Sequence, residues 1–410
     1  MRVEVVTMRT RAVCVLAAAA VLLTFGSVAK AAGVPNDPFF APTPPVKGLG
    51  QWGSWHIDVL GAWDRTHGAG AVVGVVDTGA DLNHPDLKAN LLPGATFSQC
   101  PLFKVPCGDG SFRPSLSDPV GPAHGTHVAG IIAAVANNGI GVAGVAPEAK
   151  ILPINVFSED ELQGFSAVPD DVAAGITWAV DHGAQVINLS LGALPIVGQA
   201  SFALLGDPML DAVEEAIERG VVFVAAGGNE NSPLCDSPAF NDGVLCVVAT
   251  DSHQLPADYT NLGLKPDMLA VSAPGGGRVD YAIQCGGGIV STVPDGYGDR
   301  DISATCGYDK ADPALRYDEY EGTSMAAPHV TGVAALVRAL GCDRDTTLDI
   351  ITSTAVNPVT DAAGTWDPVY GYGIVNAAKA ASAAAVRCGG MSLAAGEPLQ
   401  SDRPKAQPLS

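Results

Sequence analysis

The stretch that decides the fold reads Ile151-Leu-Pro-Ile-Asn155, a helical run from Val172 to His182, Gln185-Val-Ile-Asn-Leu-Ser190, a second helical run from Met209 to Arg219, and Gly220-Val-Val-Phe-Val-Ala-Ala226. Short apolar segments rich in β-branched residues alternate with longer segments of helical period. Parallel strands joined by crossover helices produce that beat. Strands covered on both faces read as continuous apolar runs, as these do, so the expectation is an α/β three-layer sandwich with a mainly parallel central sheet and helices on both faces. The helices are rich in Ala, whose small side chain permits close packing. No internal repeat interrupts the pattern.

Outward from this core lie three segments that can carry chemistry. Upstream, the apolar run Ala71 to Val76 ends at Asp77, and Thr78-Gly79 turns the chain. Next comes His124 in His-Gly-Thr-His-Val-Ala-Gly, opening a small-residue helix through Val128 to Val135. Downstream, Ser324 in Gly-Thr-Ser-Met-Ala-Ala-Pro precedes Pro328, and proline is tolerated in the first turn of a helix. Ser324 is therefore expected at the start of a helix that continues through Val333 and Leu336. A serine hydroxyl is a weak nucleophile until an imidazole takes its proton and a carboxylate orients that imidazole, and these segments supply one of each. Asp-Thr-Gly is also the mark of aspartic peptidases, but that chemistry needs two such carboxylates and no second Asp-Thr-Gly or Asp-Ser-Gly occurs. Ser324 read alone is a helix cap, and only the ordered set of three points to catalysis.

The order acid, base, nucleophile on these motifs resembles the subtilisin-like serine peptidases, closest in N-terminal features to their thermitase branch, over about Asn36 to Ala380. The resemblance implies a serine endopeptidase with Asp77, His124 and Ser324 as its triad. It places Asn229, after Val-Val-Phe-Val-Ala-Ala-Gly-Gly, as the side-chain amide of the oxyanion hole. Ser190, Leu191 and Gly192 resemble the strand to which a peptide substrate adds, and Gly164 lies in the segment that resembles the second such strand. There the run Glu159, Asp160, Glu161 departs from a neutral rim. Gly228 and Asp236 fall beside the pocket for the residue before the scissile bond. A carboxylate at Asp236 would favour Lys or Arg there, with Glu230 and the rim acids adding to the field. A solvent-facing Asp236 and a neutral-aromatic preference form the rival reading.

The same resemblance implies structural Ca²⁺. Residues 136–142, with Ala136, Asn138, Ile140 and Val142 as ligands, resemble the family's calcium loop, and Asp86 and Asp37 stand where carboxylates are supplied. Hard oxygen donors of this kind suit Ca²⁺. His127 reads as a packed helix residue, and histidines 56, 67, 84, 182, 253 and 329 show no metal-ligand spacing.

The first 32 residues carry four basic groups and one acidic, an apolar run from Ala12 to Phe25, and a small-residue site near Ala29-Lys30-Ala31. They read as a signal peptide, with Met8 an alternative start. The expected layout is a signal peptide over 1–32, a Pro-rich arm over 33–50, a peptidase domain over 51–388 and a disordered polar tail over 389–410. Beyond the leader, eight of the nine cysteines remain, an even set suited to disulfides in a secreted, extracellular protein. Proximity favours Cys100 with Cys107, Cys235 with Cys246, Cys285 with Cys306, and Cys342 with Cys388, the first three closing surface loops. The family's propeptide domain has no room between the leader and Asp77, which leaves the guarding of the site unassigned. The net charge of −21 disfavours phosphate binding, which needs clustered Lys and Arg, so no nucleic-acid partner is expected. The expected partner is a polypeptide substrate met by a monomer without a membrane anchor. A catalytically silent peptide-binding protein on the same fold is the alternative.

Overall fold

The computed structural model describes residues 33–40, 50–102, 104–115, 118, 121–160, 164–192, 207–265, 268–277, 287–298, 312 and 314–389. The leader, the residues of the tail beyond 389 and the expected Cys285–Cys306 bridge lie outside them. In chain order the elements are α1 (Trp52–His56), α2 (Val59–Trp63), β1 (Val72–Asp77), β2 (Ala95–Thr96), α3 (His124–Ala133), β3 (Lys150–Asn155), β4 (Phe157–Asp160), β5 (Gly164–Ala167) and α4 (Pro169–Asp181). They continue as β6 (Val186–Leu189), α5 (Pro208–Glu218), β7 (Val222–Ala226), β8 (Val244–Thr250), β9 (Ala270–Pro274), β10 (Ile289–Thr292), β11 (Tyr317–Tyr320), α6 (Thr323–Ala339), α7 (Arg344–Thr354) and α8 (Ala377–Arg387).

A seven-stranded parallel sheet of order β2-β3-β1-β6-β7-β8-β9 forms the middle layer. Every residue of β6 to β9 is buried, which accounts for their largely apolar runs, broken by the buried polar Asn188 and Ser272. Helices α4 and α5 pack together on one face, and α3 and α6 on the other. The chain leaves β1 for β3 and β2 on one side and returns to β6 on the other, so sequence order reverses between β1 and β6. Open α/β sheets bind ligands beside the carboxyl ends of strands at such a reversal. Asp77 closes β1 and Ser190 follows β6 at that edge.

Two local features differ from the sequence reading. Helix α6 begins at Thr323 and holds Pro328 in its interior instead of its first turn. The amide that proline lacks would have bonded the carbonyl of Ser324, four residues earlier. That carbonyl instead accepts from Ser190 Oγ at 3.0 Å, so the freed acceptor is satisfied by the neighbouring strand end. The Cys235–Cys246 bridge closes no surface loop: both residues are fully buried, because Cys246 lies within central strand β8. The other two described bridges join Cys100 to Cys107, and Cys342 to Cys388 at the end of α8.

Candidate active site

The acid and the base meet across the first crossover. Asp77 is fully buried and accepts from the Thr78 amide at 2.7 Å and from His124 Nδ1 at 2.8 Å. The helix bearing His124 can approach this closely because a Cβ on Gly125 would lie 2.2 Å from the Gly79 carbonyl. Thr78 fastens the junction, accepting from the Gly125 amide and donating to the Pro122 carbonyl. Burial works to lower the His124 imidazole, but the charge and hydrogen bond of Asp77 outweigh it and hold the group above its usual 6.5. An Nδ1–H held by a carboxylate leaves Nε2 as the basic nitrogen.

Ser324 is the second residue of α6. Its hydroxyl donates to the Ser190 carbonyl at 3.1 Å, and no hydrogen bond joins it to His124 among the described residues. Thr331, Asn188 and Ser190 form a buried chain that ends on the Ser324 carbonyl. Such a chain fixes the backbone that carries the nucleophile. Catalytic contacts of this type commonly tighten only when substrate is bound.

Asn229 stands at the mouth of the cleft with its side chain anchored at one end. Its Oδ1 accepts from the Thr323 amide at 2.9 Å and the Thr323 hydroxyl at 3.0 Å. The amide nitrogen is left without a partner among the described residues, and so is the backbone N–H of Ser324, one of the orphan donors of a helix start. Two free N–H groups beside one hydroxyl can stabilise an oxygen that gains negative charge. Thr323, which orients Asn229, was not singled out from the sequence, although it sits in the same Gly-Thr-Ser motif.

One cleft of about 330 Å³ is lined by His124, Ser324 and Asn229, together with Ser190, Leu191, Gly192, Gly228 and Asp236. Gly164 opens β5 and pairs with Asp160 of β4 in a hairpin, and Phe157 of that hairpin lines the cleft. Asp236 is 4% exposed and faces the cleft, not solvent. It crowds the pocket wall so closely that a Cβ on Gly228, whose φ is +106°, would lie 2.6 Å from its Oδ2. Burial, with the neighbouring charge of Glu230, pushes the Asp236 carboxyl up to about 6.

Far from the nucleophile, Asp37 and Asp86 are both fully buried on the loop 136–142. Asp37 accepts from the amides of Asn137 and Asn138. Asp86 accepts from Asn138 Nδ2, the Val142 amide and the Tyr317 hydroxyl. Burial pushes Asp86 up to about 7, and the charge of Asp37 adds to the shift. Neither carboxylate has a cationic partner among the described residues, and the carbonyls of Ala136, Ile140 and Val142 accept no hydrogen bond there. Two uncompensated acids, the Asn138 amide and three open carbonyls are a donor set that fits a hard divalent cation. Asn138 itself has its nitrogen on Asp86 and its oxygen on the Ile140 amide. No group of three or more His, Cys, Asp or Glu side chains suited to a metal occurs among the described residues.

The Subtilase family profile matches residues 68–373, and the chain belongs to that family, the subtilisin-like serine peptidases. It is 34% identical to thermitase of Thermoactinomyces vulgaris over 307 residues, which cover 75% of this chain and 86% of that one. It is 38% identical to fervidolysin of Fervidobacterium pennivorans over 296 residues, 69% of this chain but only 37% of that one. Among solved structures, a protease of Pseudoalteromonas arctica PAMC 21717 aligns with a TM-score of 0.65 at 30% identity, covering 86% of this chain and all of the other. No helix among the described residues is long and apolar enough to cross a membrane.

Proposed function

We propose that the protein is a secreted serine endopeptidase that cuts after Lys or Arg and is stabilised by Ca²⁺. A peptide adds along the cleft beside Ser190 to Gly192. Ser324 Oγ attacks the scissile carbonyl while His124 Nε2 takes the proton, and Asp77 stabilises the imidazolium. The oxyanion rests between Asn229 Nδ2 and the Ser324 N–H. The amine leaves with the proton from His124, and water repeats the sequence to release the acid. Asp37, Asp86, Asn138 and the carbonyls of Ala136, Ile140 and Val142 would hold the Ca²⁺, which would supply the positive charge those two acids lack. Residues 1–32 serve as the export leader, in keeping with the disulfides.

The observation that carries this reading is the Asp77–His124 hydrogen bond opening on the same cleft as Ser324 and two unpartnered N–H donors. The preference for a basic residue rests on Asp236, a buried carboxylate that lines the cleft and pairs with no Lys or Arg among the described residues. A silent peptide-binding protein has one observation on its side, the Ser324 hydroxyl bonded to Ser190 and not to His124. Initial rates on two peptides differing only in Arg or Phe before the scissile bond, read beside Ser324→Ala, separate the readings. Cleavage by the wild type alone, faster for Arg, is expected. No cleavage of either peptide would favour the binding protein.

A further inference from the structure

The Cys235–Cys246 bridge lies at the foot of the loop that carries Asn229. Both cysteines are sealed in the core. Cys246 stands in β8, paired on one side with Ala225 of β7 and on the other with Ala270 of β9. The chain leaves β7 after Ala226, turns outward through Gly228 and Asn229, and comes back to Cys235. The bridge therefore returns the end of this loop to the rung of the sheet beside its start.

Packing around the bridge leaves no slack. A Cβ on Gly227 would lie 3.2 Å from Cys246 Sγ and 2.9 Å from the Val247 carbonyl. The Gly227 amide donates to that carbonyl at 2.9 Å, and the Gly227 carbonyl accepts from the Asp236 amide at 2.8 Å, so the first residue of the loop is bonded to the one after the bridge. Asn261, fully buried and outside every recognised motif, holds the flank. Its Oδ1 accepts from the amides of Glu230 and Ser232, and its Nδ2 reaches the Gly227 carbonyl and Asp236 Oδ1, both at 3.1 Å. At the outer end the Gly228 amide donates to the Thr323 hydroxyl at 3.0 Å, next to the nucleophile.

In the chain-entropy account a disulfide stabilises most where it closes a long segment. This one spans 11 residues, against 46 for Cys342–Cys388. Its place suits a different task. Hydrogen bonds hold a loop one at a time and each can open, whereas a covalent tie at the foot does not. Asn229 Nδ2 has to meet the oxyanion where it forms, and a shift of about 1 Å at a catalytic group can cost on the order of a hundredfold in rate. We propose that Cys235 and Cys246 are positioning residues for catalysis: their bridge fixes the loop 227–236 so that Asn229 stays aimed at the oxyanion, and its stabilising effect is secondary. This rests on the peptidase reading above and adds which part of the core sets the oxyanion hole.

The test compares wild type with Cys235→Ala/Cys246→Val, in which valine restores part of the lost volume, well below the melting temperature. A control variant, Cys100→Ala/Cys107→Ala, removes a bridge at the surface, where Leu102 and Val105 are exposed. Loss of the buried bridge is expected to lower kcat about tenfold or more on both the Arg and the Phe peptide, with KM changed less than about threefold. Loss of the surface bridge should leave kcat within about twofold. A buried-bridge variant that melts lower yet turns over at the wild-type rate would overturn the positioning role. Hydrogen exchange reads the same loop without turnover: protection over 227–236 should fall about tenfold while that of Val222–Ala226 and Val244–Thr250 holds, and an equal loss in all three would also overturn it. Should the variant fail to fold, the wild type decides. Samples taken during exposure to dithiothreitol are assayed, then unfolded and alkylated to show which bridges had opened. Activity is expected to fall in step with Cys235–Cys246 and not with Cys100–Cys107, and full activity with the buried bridge open would overturn the role. Wild type that cleaves no peptide, beside a variant whose exchange changes only over 227–236, would sink the peptidase reading and keep the anchored loop. Wild type and variant that cleave equally fast would do the reverse.

Discussion

Asp77 and Asp236 are both almost wholly buried, the one bonded to the cleft-lining His124 and the other lining the cleft itself, and they differ in where their partner comes from. Asp77 faces an imidazole N–H supplied by the protein at 2.8 Å, so it has a fixed hydrogen-bond donor before any substrate arrives. Asp236 has only the Asn261 amide and a second acid, Glu230, for company. A carboxylate matched from within serves every substrate alike. One left unmatched beside a cleft discriminates, because an apolar side chain leaves it buried and unpaired while a cationic one does not. Asp37 and Asp86 make a third case, unmatched like Asp236 but wrapped by amides and carbonyls. On the proposed reading their cation would be resident, whereas that of Asp236 would arrive with the substrate.

The largest expected effect breaks the contrast at Asp77. Asp77→Asn is expected to lower kcat on the order of ten-thousand-fold, the loss known for the corresponding carboxylate of a serine peptidase with the same triad on another fold. The Arg and Phe peptides should lose rate together, leaving their ratio within about twofold of the wild type. A ratio that moved with the rate would mean that Asp77 also reads the substrate.

Asn229→Ala comes next, at about a hundred- to a thousand-fold in kcat, a magnitude known from a subtilisin. Single-turnover rates on both peptides check it, and a loss confined to KM would remove Asn229 from the oxyanion hole. Asp236→Asn then sharpens the contrast from the other side. It is expected to lower the Arg-to-Phe ratio in kcat/KM by about ten- to a hundredfold. An unchanged ratio would return Asp236 to a structural role.

Much of this was legible in the sequence, and the limits are physical. The sheet could be read because buried parallel strands must be continuously apolar, as Val222–Ala226 is. The proposed triad could be read as a candidate because each member sits in a local motif, and their order then points to the chemistry. Asn261 could not be read. It acts on residues 25 and 31 positions earlier, through contacts that only the folding of the loop after β8 creates. Nor does a proline six residues into α6 declare that its missing amide will be used, since the acceptor it frees is satisfied by Ser190 from another strand. The carboxylates Asp37 and Asp86 were legible by resemblance, whereas their full burial without a cation is a property of the fold.

The third case gives a smaller, structural effect. Chelation is expected to lower the melting temperature by about 5 °C or more while leaving the Arg-to-Phe ratio as it was. Calorimetry on calcium-loaded and chelated protein reads it. Asp86→Asn should erase the response to chelator. An unchanged melting temperature on chelation would leave the two acids without their proposed cation.

The smallest effect sharpens the original contrast through pH. His124 must be neutral to accept a proton, and its imidazole is held above 6.5, so rates on both peptides should climb as pH rises past that value. This limb belongs to the chemistry and cancels in the ratio. Asp236 is different, since burial and Glu230 push its carboxyl up to about 6. Below that pH it is protonated and the pocket loses one charge; above it the carboxylate can meet a guanidinium. The Arg-to-Phe ratio should therefore rise severalfold between about pH 5 and pH 8, steepest near 6, while Asp236→Asn flattens it. A wild-type ratio already full at pH 5 would mean that the free enzyme keeps Asp236 ionised, and that the two sides of the cleft differ less than their hydrogen bonds imply.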